Sequence, residues 1–171
     1  MADILIRPAV QDDLPTLVDI FNHYIVHGHV TFDTALNTVA SRQSWFASYG
    51  NGRHQLLVAD TDGQVVGCTY SSRYQPRPAF DTTVETSIYL DPRHRGRGTG
   101  SALYTALFQR LACQPVHVAV AAIALPNEAS LALHRKLGFE EVGTFKEYAR
   151  KHTEWISSTW FQRRLSRNAR V

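Results

Sequence analysis

Apolar residues recur every three or four positions in several segments, which is the spacing of one helix face. The first such segment follows Asp12 and Asp13, whose carboxylates suit the positive end of a helix dipole. Its apolar positions are Leu14, Leu17, Val18, Ile20, Phe21, Tyr24 and Ile25. We predict a helix there and further helices at residues 39–49, 101–112 and 127–139.

Short apolar or alternating runs between these helices predict strands. Residues 116–124, VHVAVAAIA, are apolar on both faces, as is typical of a covered central strand. The other strands are expected at 3–8, 54–60, 64–74 and 82–90, with two closing strands around a turn near 150–154. The resulting order, β-αα-β-β-β-α-β-α-β-β, indicates an α/β fold with a mixed, mostly antiparallel sheet and helices on both faces.

Length and composition indicate a single domain, residues 1–171, with a flexible tail at 166–171. The chain is 44% hydrophobic and 19% charged, and no apolar run reaches the ~20 residues of a membrane helix. Its first ten residues also lack the features of a secretory signal, so we expect a cytoplasmic protein without membrane contact. Cys68 and Cys113 lack metal-ligand spacing; we interpret both as reduced core residues and expect no metal.

Positive charge is concentrated in two places, although the net charge is only +3. The C-terminal QRRLSRNARV holds four arginines, and the loop at 93–97 holds three. A nucleic-acid surface would need broader basic stripes with interleaved aromatic residues, so we expect no nucleic-acid partner. We interpret the terminal arginines as solvated and the loop as an anion site.

The glycine-rich segment DPRHRGRGTGSALY, residues 91–104, lies between a predicted strand and a predicted helix. Its glycines at 96, 98 and 100 do not fit the dinucleotide pattern G-x-G-x-x-G, and the G-K-[ST] of a P-loop is absent. Amides at a helix start favour anions, and glycines let a ligand approach the backbone. A phosphate or pyrophosphate is the expected guest, and a plain turn with solvated arginines is the alternative.

Arg95-x-x-Gly98-x-Gly100 resembles the [Q/R]-x-x-G-x-[G/A] motif of GNAT-type N-acetyltransferases, whose fold has the same element order. The resemblance implies that acetyl-CoA binds as co-substrate, its pyrophosphate on this loop and its pantetheine arm along the preceding strand. A second cofactor segment is implied at Asn127 and Ser130. The implied cofactor-binding residues are Ile88, Tyr89, Leu90, Arg95, Gly96, Arg97, Gly98, Thr99, Gly100, Asn127 and Ser130.

Further motifs resemble the phosphinothricin acetyltransferase subgroup of that family. They are R-P at 7–8, TFDT at 31–34, TVETSIYLDPRHRG at 83–96, LPNEASLALHRKLGF at 125–139 and K-H-x-x-W at 151–155. The resemblance implies a homodimer that acetylates the α-amino group of phosphinothricin, methionine sulfoximine or sulfone, or a related small amino acid. Thr82, Thr153 and Ser157 depart from the subgroup pattern, which bears on the exact acceptor.

Glu85 is the candidate catalytic base. It is the only ionisable group besides Tyr89 in the strand that leads to the glycine loop, and alternation places it on one face with Ser87. An α-amino group titrates near ~8 and must lose a proton before it attacks a thioester. The subgroup resemblance assigns this role to Glu85, and an exposed glutamate or ion-pair partner is the alternative.

Three further residues are candidates for catalysis or acceptor binding. His134 falls on the leucine-rich face of its predicted helix, where a polar group needs a partner. The resemblance makes His134 a proton donor or substrate contact, and a structural histidine is the alternative. Arg77 offers a guanidinium for an anionic acceptor, or is a solvated loop residue, and Phe32 is a candidate pocket wall.

The sequence thus predicts an acetyl-CoA-dependent N-acetyltransferase that transfers acetyl directly to a small amino acid, with no covalent enzyme intermediate. Alternatives are another amine acceptor (a protein N-terminus, lysine, polyamine or aminoglycoside), a non-catalytic acyl-CoA-binding module, and a nucleic-acid binder.

Overall fold

Seven strands and four helices occur along residues 4–165, the part of the chain that the computed structural model describes. The strands are β1 (Ile4–Pro8), β2 (Leu56–Thr61), β3 (Gln64–Arg73), β4 (Thr83–Leu90), β5 (Val118–Ala124), β6 (Glu140–Lys151) and β7 (Glu154–Arg164). The helices are α1 (Leu14–His27), α2 (Val39–Ala47), α3 (Thr99–Leu111) and α4 (Glu128–Lys136). The predicted order is confirmed; the flexibility predicted for 166–171 lies outside the described residues.

All strands belong to one sheet with the order β1-β2-β3-β4-β5-β7-β6. Every neighbouring pair is antiparallel except β4 and β5, which are parallel. The mixed, mostly antiparallel sheet predicted from the sequence is therefore confirmed. The parallel pair arises because α3 lies between β4 and β5 in the chain and carries it back across one face of the sheet.

The sheet splits beyond the first three residues of β4 and β5. Their pairing ends at Glu85 and Val120. After that point β4 remains paired with β3 as far as Leu90, and β5 remains paired with β7 as far as Ala124. The two strands therefore diverge, and a gap opens between them in the middle of the sheet.

Two apolar clusters hold the helices on the sheet. The larger joins α3 and α4 to one face, and Leu103, Leu107 and Leu111 of α3 are each 0% exposed within it. Burial of each such leucine contributes roughly 1.5–3 kcal/mol. The smaller cluster joins Leu17 and Phe21 of α1 to the other face of β2 and β3. Helices on both faces fix the two sides of the gap between β4 and β5.

Arg7 explains the R-P motif at the start of the chain. Its guanidinium donates to both carboxylate oxygens of Asp13, at 2.7 and 2.9 Å, and to Asp60 of β2 at 2.9 Å. Burial alone would raise the pKa of Asp13, but the hydrogen bonds from Arg7 and from the Val10 amide hold it below its ordinary value. Asp13 thus ties β1 to the start of α1 as well as suiting the helix dipole.

The two cysteines have different environments. Cys68 is 0% exposed in β3, and burial raises the pKa of its thiol to about 12. Cys113 is exposed, so the prediction of a core position for it was wrong. Helix α3 ends at Leu111, and the following turn carries Cys113 away from the apolar face. No helix among residues 4–165 is long and apolar enough to cross a membrane.

Candidate active site

A cavity of about 580 Å³ occupies the gap between β4 and β5. Its walls are residues 86–90 of β4 and residues 121–124 of β5, and its ends reach α1, the start of α3 and α4. We call it the seam cavity. It is lined by most of the predicted cofactor residues: Ile88, Tyr89, Leu90, Arg95, Gly96, Gly98, Gly100, Asn127 and Ser130. Arg97 and Thr99 belong to the same loop but do not line it, Arg97 being exposed and Thr99 buried.

The glycine loop reaches its conformation through left-handed backbone angles. Gly96 has φ 74° and Gly98, which caps α3, has φ 82°, values that side chains other than glycine rarely adopt. Gly100 lies in a tight space instead, since a Cβ there would lie 3.1 Å from Cδ2 of Leu133, the flexible end of that side chain. The chain therefore brings the amide end of α3 close to the seam cavity, where it suits a phosphate group.

Arg95 is held against helix α1. Its Nη2 donates to the hydroxyl of Tyr24 at 2.8 Å, and that hydroxyl donates to the carbonyl oxygen of Leu90 at 2.6 Å. Tyr24 was missed in the sequence because it belongs to the apolar stripe of α1 and looks like a core residue. The relay connects the glycine loop, through α1, to the end of β4, so the loop and one wall of the seam cavity share one hydrogen-bonded support.

His134 is 2% exposed and contacts Tyr104 of α3. Its Nδ1 lies 2.8 Å from the carbonyl oxygen of Ser130, which can only accept, so this contact places the proton on Nδ1. Nε2 then accepts from the Tyr104 hydroxyl at 3.0 Å. Burial lowers the pKa of His134, with a smaller opposing effect of the bond to Ser130, and so favours the neutral ring. Both rings line the seam cavity.

A second, smaller cavity of about 260 Å³ adjoins the seam cavity. Val30, Ser87, Tyr89 and Ala122 line both, so the two spaces meet across β4. We call it the side pocket. Its remaining lining includes the aromatic rings of Phe21, Phe32 and Tyr70 and the charged groups of Asp33, Arg42 and Glu85.

Glu85 lies in the side pocket, half-buried on β4. Burial raises the pKa of its carboxyl, and no hydrogen bond or ion pair within residues 4–165 engages the carboxylate. This is the environment of a carboxylate that can accept a proton from a bound molecule. Phe32 also lines the pocket, in edge contact with Tyr148 of β6 at 5.9 Å.

The structure does not bring Arg77 to either cavity. It is exposed, at the start of a short 3-10 turn before β4. Arg42 of α2 lines the side pocket instead, and its Nη2 pairs with Asp33 at 2.6 Å. No pattern in the sequence singled out Arg42, because one arginine on a polar, weakly amphipathic helix looks like any solvated residue.

Lys151 joins the β6–β7 hairpin to the end of α1. It is 3% exposed, and its ammonium donates to the carbonyl oxygens of Tyr24, Gly28 and Thr31 at 3.2, 2.7 and 3.1 Å. Burial lowers the pKa of this group. The segment it holds contributes Val30 to both cavities. The neighbouring motif residues, His152 and Trp155, are exposed at the hairpin.

The site combines a split between parallel strands, a glycine loop at a helix start, and a carboxylate in an adjoining pocket. No group of three or more potential metal ligands occurs in the described part of the chain. Such a fold and site define an acyl-CoA-dependent acyltransferase: the seam suits an extended thioester arm, and the loop suits its pyrophosphate.

Comparison with known proteins agrees with this class. The model of the acetyltransferase (GNAT) family matches residues 17–139. The chain is 42% identical to phosphinothricin N-acetyltransferase of Streptomyces coelicolor, covering 96% of this chain and 98% of that protein. It is 36% identical to the L-methionine sulfoximine/L-methionine sulfone acetyltransferase of Pseudomonas aeruginosa, over 94% of each chain.

Among solved structures, a phosphinothricin acetyltransferase of Sinorhizobium meliloti in complex with acetyl-CoA aligns with a TM-score of 0.91. That structure is 32% identical in sequence, and the alignment covers 97% of this chain and 90% of that one. The chain therefore belongs to the GNAT acetyltransferase family. It is an acetyl-CoA-dependent N-acetyltransferase, and acetyl-CoA is its co-substrate.

Proposed function

We propose that this enzyme acetylates the α-amino group of a small amino acid or its analogue: phosphinothricin, methionine sulfoximine or methionine sulfone. The observation that carries the proposal is the position of Glu85, in a small pocket that meets the seam cavity at Ser87 and Tyr89. A volume of about 260 Å³ suits a small acceptor. The relatives named for phosphinothricin and methionine sulfoximine support the same acceptor class.

Glu85 is the proposed general base. An α-ammonium group titrates near ~8, so at neutral pH an acceptor arrives mostly protonated. Because burial raises the pKa of Glu85, the carboxylate holds an abstracted proton more readily than an exposed glutamate would. Glu85 would accept the ammonium proton directly or through one water. The freed amine then attacks the acetyl carbonyl carbon, and the carbon–sulfur bond breaks.

His134 and Tyr104 are proposed to serve the leaving sulfur. Burial raises the pKa of the Tyr104 hydroxyl, so it stays protonated at working pH and can donate a hydrogen bond to a thiolate. The hydroxyl has one proton, so its donation to the thiolate would replace the hydrogen bond that it donates to Nε2 of His134. The attacking nitrogen loses its second proton to solvent as the amide forms. The thiol is completed by a proton from solvent, and Glu85 returns its own proton to solvent.

Thiol release from acetyl-CoA tests the proposal across acceptor classes. The acceptors are phosphinothricin, methionine sulfoximine, common amino acids, spermidine and an alanine-first peptide. We expect turnover of the amino acids and analogues, with little release for spermidine or the peptide. Release with the peptide alone would refute the acceptor class, and release with none would favour an acyl-CoA-binding module.

Glu85→Gln is the variant that tests the base. We expect a large loss of kcat at pH 7, because the carboxamide cannot accept the proton, while the affinity for acetyl-CoA in the separate seam cavity stays near that of the wild type. A Gln variant that turns over at the wild-type rate would rule out Glu85 as the base.

We also propose that the enzyme is a homodimer. Strand β6 is an outer strand of the sheet and is exposed along almost its whole length. It carries exposed apolar side chains that include Val142 (62%) and Phe145 (57%), and Trp155 of β7 is 60% exposed. Analytical ultracentrifugation should give a dimer mass for the wild type and a monomer mass for Phe145→Asp. A monomeric wild type would contradict the proposal.

A further inference from the structure

Arg42 is held rigidly at the wall of the side pocket. Its guanidinium carbon lies 5.4 Å from the ring centre of Phe21 and 5.4 Å from that of Trp45. Its Nη2 pairs with Asp33, and the Arg42 side chain is 20% exposed. A planar cation fixed by two rings and one carboxylate loses little freedom when it binds a further group.

The donors of this guanidinium are only partly used. Nη2 donates to Asp33, while Nε is buried and has no partner among the described residues. Asp33 itself is 51% exposed, so water weakens its compensation of the arginine charge. The buried Nε is closed off from solvent, so the N–H groups left for a bound molecule are those of Nη1, which makes no hydrogen bond to the described residues.

The charges around the side pocket are arranged for a molecule with two charged ends. Glu85 lies on the β4 wall, and the Asp33–Arg42 pair lies on the wall formed by α2 and the loop before it. Arg42 is the one lysine or arginine among the residues that line this pocket. A second cation on the acceptor would meet the charge of Arg42 as well as that of Asp33, whereas an oxyanion would be attracted to Arg42.

We infer that Arg42 recognises an oxyanion of the acceptor, and so selects molecules that carry a carboxylate or phosphinate beside the reacting amine. This inference rests on the proposed function and adds to it a specificity-determining residue and the substrate class that this residue selects. The guanidinium fork suits both oxyanions. Arg77, exposed and outside the pocket, is the competing candidate.

Paired acceptors separate the two oxyanions. L-methionine sulfone and its carboxamide differ only in the carboxylate, and phosphinothricin and L-methionine sulfone differ in the phosphinate. In the wild type, kcat/KM should be roughly tenfold to hundredfold higher for the acceptor that carries the extra oxyanion, in at least one pair. That ratio corresponds to the free energy of one hydrogen bond to a charged group. Arg42→Gln should abolish that preference by raising the acceptor KM, with kcat little changed.

The matched control is Arg53→Gln, because Arg53 also pairs with an aspartate, Asp81, but lines neither cavity. It should keep the wild-type preference. Arg42→Lys, which keeps the charge without the planar fork, should be intermediate. Acetyl-CoA affinity, measured by calorimetry, should be unchanged in all variants and shows that each is folded.

The outcomes distinguish this inference from the proposed function. A wild type that acetylates amino acids but treats acid and amide alike, and phosphinothricin and sulfone alike, would refute the inference and leave the function standing. The same holds if Arg77→Gln, rather than Arg42→Gln, removes the preference. A wild type inactive on every amino acid would refute both.

Discussion

Replacing Lys151 with methionine should destabilise the enzyme and loosen the wall between its two cavities. Three carbonyl oxygens, those of Tyr24 and Thr31 in buried contacts and that of Gly28 in a partly buried one, would lose their donor. A hydrogen bond to a charged group contributes roughly 1.5–3 kcal/mol, and a buried acceptor left unpaired costs about 1–3 kcal/mol. Methionine is close to lysine in side-chain length, and it removes the free-energy cost of burying an ammonium, which offsets part of this loss of stability.

We therefore expect the free energy of unfolding to fall by about 2–4 kcal/mol, which is the cost of leaving these acceptors unpaired less the gain from no longer burying an ammonium. For a chain of this length that corresponds to a Tm lower by roughly 10 °C. Urea denaturation followed by circular dichroism gives the free energy, and a thermal melt gives the Tm. The matched control is Lys146→Met, an exposed lysine of the same strand, which should change the stability by less than about 0.5 kcal/mol.

The same substitution should raise the KM of the acceptor, because the segment that Lys151 holds contributes Val30, Thr31 and Phe32 to the side pocket. If Lys151→Met matched Lys146→Met in both stability and acceptor KM, Lys151 would not position this segment, and the reasoning would be refuted.

Three further predictions concern the reaction itself. The pKa of Glu85 is raised, so kcat/KM should fall as the pH drops through a value above the ~4.3 of a free glutamate, and Glu85→Gln should lack this fall. The Gln variant should also unfold no more readily than the wild type at pH 7, since an ionised, buried Glu85 opposes folding above its pKa. Gly100→Val should raise the Kd of acetyl-CoA at least about tenfold by crowding Leu133, whereas Gly100→Ala should bind acetyl-CoA nearly as well as the wild type, because a single Cβ meets only a flexible side-chain end. Equal affinities of the Val and Ala variants would exclude this crowding. Tyr104→Phe should lower kcat by roughly tenfold or more without changing the acceptor KM, as expected for a lost hydrogen bond to the leaving sulfur, and an unchanged kcat would remove Tyr104 from the reaction.

The order of the elements was predictable because each helix and strand has its own short-range signal. The 3–4 spacing that begins at Leu14 gives α1, and the apolar run at 116–124 gives β5. Boundaries moved by a few residues where caps decide them: α3 begins at Thr99 rather than 101, since Gly98 caps it with a left-handed φ. Cys113 was misplaced because a cysteine beside apolar residues suggests burial, although the predicted helix already ended before it.

The glycine loop and Glu85 could be found in the sequence because their chemistry is local: one motif joins a strand to a helix, and one carboxylate interrupts a strand of uncharged residues. Other contacts around the two cavities join distant segments. Tyr104 contacts His134 across 30 positions, and Lys151 contacts Gly28 across 123. Contacts between such distant positions produce no periodic pattern in the sequence. Tyr104 and Lys151 therefore look like an ordinary core residue and an ordinary surface residue until the chain is folded.

The sequence by itself determined the element order, and it indicated a candidate anion-binding loop and a candidate base, because backbone propensity and side-chain alternation act over a few residues. Only the tertiary structure decided that β4 and β5 separate after Glu85 and Val120, and that Arg42 rather than Arg77 lies at the pocket. The physical reason is that a cavity is formed by the packing of distant helices against a sheet. Its lining is therefore a property of the whole core and of no single segment.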